Sequence, residues 1–111
     1  MELNVETRDG VAIVRLPAGA LDTSNAAAFK QAIEPTLDSE SKVVLDLSDL
    51  EFVDSSGLGT FLSCMRKLHA KGGDLKLASM ANSVRTVFEL VRMHRVVDIC
   101  NDPDEAIRRF A

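Results

Sequence analysis

From Leu58 onward the apolar positions are Leu58, Phe61, Leu62, Met65 and Leu68, spaced three or four apart, and the run stops at Gly72-Gly73 after basic Arg66, Lys67 and Lys71. That spacing predicts an amphipathic helix whose cations collect where its dipole favours them. Before it, Val43-Val44-Leu45-Asp46-Leu47 is short, β-branched and apolar almost without a break. Such a run suits a central strand covered on both faces. At the start of the chain Leu3-Asn4-Val5 and Val11 to Leu16 flank Arg8-Asp9-Gly10. An Asp-Gly pair between β-prone runs predicts an antiparallel hairpin.

The remaining elements follow the same logic. Asp22-Thr23-Ser24-Asn25 offers capping side chains before Phe29, Ala32, Ile33 and Leu37 at helical spacing, with Pro35 expected to end or kink that helix near its last turn. Leu75 to Ala78 alternates as a strand, Val84, Val87, Phe88 and Val91 mark a third helix, and Val96 to Cys100 a last strand. Asp102-Pro103-Asp104-Glu105 combines a capping box with proline at the first helical position and opens a C-terminal helix through Phe110. The order β-β-α-β-α-β-α-β-α predicts an α/β fold, a mixed and mostly parallel sheet with helices packed against it. At 111 residues, the chain is expected to form a single domain over 1–111.

Composition narrows the function. A net charge of −4 and the absence of Trp and Tyr argue against nucleic acid as a partner. The charge is uneven, −7 over residues 1–57 and +3 over 58–111, a polarity that suits a protein partner. No apolar run reaches the roughly 20 residues of a membrane span, and the acidic N-terminus is unlike a signal peptide, so a cytoplasmic protein without direct membrane insertion is expected. Cys64 and Cys100 sit in apolar segments without metal-ligand spacing and read as reduced and structural.

Asp54-Ser55-Ser56-Gly57-Leu58-Gly59 lies at the turn into the best helix, where unpaired N–H groups favour anions and Asp or Ser commonly caps. Enzyme readings fail on the residues. The segment is not G-x-S-x-G, lacks the Gly-Lys-Ser/Thr of a P-loop, and has Leu62 where a dinucleotide fingerprint needs a small residue. Of the two histidines, His69 lies about 20 Å down the helix from Ser55 and His94 falls at the end of the third helix, so neither is placed to serve as base. No catalytic residue, metal site or cofactor is expected.

The run from Val43 to Gly59, with Asp54-Ser55-Ser56-Gly57-Leu58 at its centre, closely resembles the bacterial anti-sigma factor antagonists, the stand-alone STAS domains. Gly19-Ala20-Leu21-Asp22 is similar to that family's Gly-x-Leu-Asp turn, and Gly72-Gly73-Asp74-Leu75 to its helix-to-strand turn. The resemblance covers essentially the whole chain; it departs at Pro17-Ala18 and Pro35. It implies partner switching. The unphosphorylated antagonist binds an anti-sigma factor that is also a serine kinase, phosphorylation releases it, and a PP2C-type phosphatase resets it. The resemblance makes Ser55 the acceptor and Ser56 a structural cap. The expected partner surface comprises Asp22, Asp54, Ser56, Gly57, Leu58, Gly59, Thr60, Ser63 and Lys67. On spacing, Thr60, Ser63, Cys64, Lys67 and Lys71 are expected on the outward face of the helix, small near Ser55 and basic farther down. The alternative within the fold is a docking subunit of a transporter complex or stress-sensing scaffold, with Ser55 only a cap.

Overall fold

Asp9 and Gly10 both take positive φ, 54° and 77°, as a two-residue hairpin turn matching the strand twist requires. The turn joins β1 (Asn4–Arg8) to β2 (Val11–Arg15) in antiparallel register, Arg8 opposite Val11. The computed structural model describes residues 1–110; Ala111, the last residue of the expected domain, lies outside the described residues. Three further strands, β4 (Lys42–Asp46), β6 (Asp74–Ala78) and β7 (Asp98–Cys100), extend β2 in parallel, giving the order β1-β2-β4-β6-β7. Each crossover moves one strand in the same direction, so the sheet has no point of reversal and opens no crevice of the dinucleotide-binding kind.

Alternate residues of the inner strands feed two separate cores. Ala12, Val14, Val43, Leu45, Leu75 and Leu77 face α1 (Ala26–Ser39), α2 (Ser55–His69) and α3 (Asn82–Leu90). Phe29, Phe61 and Phe88, one from each helix, form an aromatic line with centroids 6.0 and 5.9 Å apart. Val11, Ile13, Val44 and Ala78 face α4 (Pro103–Phe110) on the other side. Burial on both faces explains why β4 lacks hydrophobic alternation, as expected of a central strand. On the α4 side Lys76 is buried, its Nζ 2.6 Å from Asp98 and 4.6 Å from the centre of the Phe110 ring. Burial alone would lower its pKa, but Asp98 and Asp74 raise it above the ordinary lysine value.

The expected order omits two strands. β3 (Gly19–Leu21) and β5 (Leu50–Val53) pair in parallel as a small separate sheet, Leu21 beside Val53. At three and four residues they are too short for periodicity to reveal. Two boundaries also move. α1 continues four residues past Pro35, its last turn held by buried Leu37 and by the Lys71 ammonium donating to the Leu37 and Asp38 carbonyls. The last strand begins at Asp98, because Arg92 is left-handed at φ 60° and a 3₁₀ turn over Met93–Arg95 uses Val96 before the chain extends. At the C-terminus Asp102 Oδ1 accepts from the Glu105 N–H at 2.8 Å, while Glu105 reaches back to the Asn101 N–H at 3.1 Å, a capping box displaced by one residue.

Candidate functional site

The small parallel sheet builds the site. Because β3 and β5 run side by side in the same direction, they deliver the 22–25 loop and the 54–56 turn to the same edge of the molecule, each followed by a helix. Asp54 is the N-cap of α2, its Oδ1 accepting from the Gly57 N–H at 3.0 Å. Its Oδ2 accepts from the N–H and hydroxyl of Thr23 at 3.2 and 3.3 Å. The Gly57 N–H, and then the Thr23 and Ser56 donors, hold the Asp54 carboxyl below its ordinary pKa against a smaller opposing effect of burial. Asp22 turns inward on its own loop, accepting from the Ser24 N–H at 2.9 Å, while Asn25 donates to the Ala20 carbonyl at 2.8 Å instead of capping α1.

Around this frame the two serines differ. Ser55 is the first residue of α2 and is exposed, and no hydrogen bond among the described residues holds its hydroxyl. Ser56 is partly buried and lies 3.1 Å from the Thr23 Oγ1. The expectation that Ser56 caps the helix is corrected, since Asp54 holds that position. A phosphate on Ser55 would meet the positive dipole end of α2, whose Gly57 and Leu58 N–H groups are already bonded to Asp54, and beside it the negative charge of Asp54.

The outward face is narrower than the spacing predicts. Thr60 is only 4% exposed and donates to the Gly57 carbonyl at 2.6 Å, and Cys64 is buried, its thiol pushed up to about 11 by desolvation. Both were expected outside; α1 and β5 pack over that side of α2, which spacing along one helix does not reveal. Gly57 and Leu58 are buried too and act by position. Gly57 lies so close to β3 that a Cβ there would stand 2.5 Å from the Leu21 carbonyl oxygen. Gly59 remains exposed with open space above its Cα, and Ser63 and Lys67 line a groove of about 250 Å³ between α1 and α2. Lys67 is already paired there with Glu34 at 3.1 Å and Asp38 at 2.9 Å. His69 pairs with Asp74 at 2.8 Å, at the opposite end of α2 from Ser55. No cluster of three or more metal-ligating side chains occurs among the described residues, and none of their helices is long and apolar enough to cross a membrane.

The STAS domain family profile matches residues 2–106. This chain belongs to the STAS family. Among the relatives of this STAS domain, the anti-sigma F factor antagonist of Paenibacillus polymyxa is 26% identical over 109 residues, covering 96% of this chain and 92% of that one. The crystal structure of an anti-sigma factor antagonist from Mycobacterium paratuberculosis superposes with a TM-score of 0.86 at 29% identity, covering 96% and 91% of the two chains. SpoIIAA of Bacillus in its phosphorylated form gives a TM-score of 0.72 at 25% identity, covering 98% and 99%. The expected fold class is thereby borne out, mixed and mostly parallel sheet included.

Proposed function

We propose that this STAS domain is an anti-sigma factor antagonist switched by phosphorylation of Ser55. The observation that carries the reading is the exposed, unbonded Ser55 hydroxyl at the start of a helix held rigid by the Asp54 cap. A kinase substrate needs such a hydroxyl on a fixed base. The names of the relatives support the antagonist role, and SpoIIAA exists in a phosphorylated form. In the transfer, the Ser55 Oγ bonds to the γ-phosphorus of ATP while the bond to the β–γ bridging oxygen breaks. ADP leaves with that electron pair, and a base of the kinase takes the hydroxyl proton. The partner is an anti-sigma factor with serine kinase activity, and a PP2C-type phosphatase reverses the step. The domain acts as a regulatory binding protein.

The docking surface consists of Ser55, Ser56, Gly59 and Ser63, where small side chains let a partner approach closely, with Asp22, Asp54, Gly57 and Leu58 setting its shape beneath and Lys67 at its far edge. Phosphorylation adds about −1.5 to −2 charges. In the free protein the α2 dipole and Asp54 act on that charge in opposite senses by comparable amounts, so the fold is retained. In a closed complex the same charge, desolvated without a cation, lowers affinity by a hundredfold or more. The test is incubation with Mg-ATP and serine kinases encoded beside the gene, followed by mapping of the phosphate. Ser55→Ala abolishes labelling; stoichiometric labelling retained in that variant refutes the reading.

A further inference from the structure

Two serines stand side by side at this turn, and their surroundings differ in a way that a single residue controls. We propose that Thr23, on the neighbouring loop, is the positioning residue that directs phosphorylation to Ser55 and away from Ser56. The proposal rests on the phospho-switch reading above and deepens it. Its basis is a count of protons. The Asp54 carboxylate has no proton to give, so its 3.3 Å contact with the Thr23 hydroxyl has Thr23 as donor. That uses the single hydroxyl proton of Thr23. The 3.1 Å contact between the Thr23 and Ser56 oxygens must then be donated by Ser56. The Ser56 hydroxyl therefore points into the 22–25 loop with its proton committed, as the tail of a relay from Ser56 to Thr23 to Asp54.

Transfer from ATP needs an oxygen that can turn in line with the γ-phosphorus and surrender its proton to the kinase base as the bond to ADP breaks. Ser55 meets both needs; Ser56 must first leave Thr23. The Thr23 N–H also donates to Asp54 at 3.2 Å, so the backbone of that loop stays tied to the α2 cap when the hydroxyl is removed. Thr23→Val thus frees Ser56 while leaving the shape of the side chain and the backbone contact in place.

The experiment compares the wild-type chain, Thr23→Val and Thr23→Ser. Each is phosphorylated under single-turnover conditions by the kinase that labels the wild type, and the ratio of phosphate on Ser55 to phosphate on Ser56 is read by mass spectrometry. The Asp54 carboxyl is titrated in parallel by carbon NMR on the unmodified proteins. Thr23→Val is expected to lower the Ser55 to Ser56 ratio by about three- to tenfold, the weight of one hydrogen bond. It should also move the Asp54 titration upward, because a donor that favours the ionised form is gone. Thr23→Ser keeps both at wild-type values. An unchanged ratio in Thr23→Val overturns this proposal alone, as does a ratio that falls equally in Thr23→Ser. A wild-type chain that no candidate kinase labels overturns the phospho-switch reading and this proposal with it.

Discussion

Gly57 and Gly59 lie two residues apart in α2, yet the structure assigns opposite signs to the same substitution at each. In a helix interior, alanine is favoured over glycine by about 1 kcal/mol, because glycine has more backbone freedom to lose. At Gly59 nothing lies within 4 Å of an added Cβ, so that gain stands undiminished. At Gly57 the Cβ would meet the Leu21 carbonyl oxygen and the Val53 Cγ2, each at 2.5 Å, nearly 1 Å inside ordinary contact. The oxygen is backbone and already accepts from the Asp54 N–H at 3.3 Å, so it cannot swing away. Relief requires α2 to lift off the small β3–β5 sheet. Overpacking of this kind destabilises by about 1–3 kcal/mol, which outweighs the helix-propensity gain. At roughly 4 °C per kcal/mol for a chain of this size, Gly59→Ala should raise the melting temperature by about 2–4 °C and Gly57→Ala should lower it by several degrees. Thermal and urea unfolding followed by circular dichroism read both. Equal shifts of the same sign would refute the argument that close approach to β3, and not helix propensity, determines glycine at position 57.

Three further outcomes are expected. Thr60→Arg should destabilise by more than about 3 kcal/mol, because it buries a charge and breaks the bond to the Gly57 carbonyl, whereas Ser63→Arg at the groove should stay within about 1 kcal/mol in urea unfolding and weaken kinase binding. Phe61→Ala should remove about 3–5 kcal/mol, measurable by the same unfolding, since its ring touches both Phe29 and Phe88. For Asp74, burial raises the pKa, but His69, the Leu75 N–H and Lys76 outweigh it and leave the folded value below the ordinary 3.8. A depressed folded pKa contributes stability that is present above 3.8 and lost as pH falls through the folded value, so urea midpoints measured from pH 6 to 2 should drop less steeply below that point in Asp74→Asn than in the wild type.

Much of this protein was decided locally and could be read along the chain. The Asp9-Gly10 hairpin, the central β4, the α2 stripe and the proline-opened α4 each follow from neighbouring residues, through turn chemistry, burial on both faces, 3.6-residue periodicity and capping. The Asp-Ser-Ser-Gly-Leu run likewise drew attention to Ser55, through its resemblance to the anti-sigma factor antagonists. Tertiary structure decided what depends on residues far apart in sequence. β3 and β5 contain seven residues between them, too few to show a period, and exist because Leu21 and Val53 pair across 32 positions. That pairing brings Thr23 to Asp54 and Ser56, a contact no spacing within either segment encodes. Thr60 and Cys64 follow the same rule. Helical spacing fixes the angle at which each leaves α2, but whether that angle meets water or protein depends on how α1 and the small sheet pack against α2.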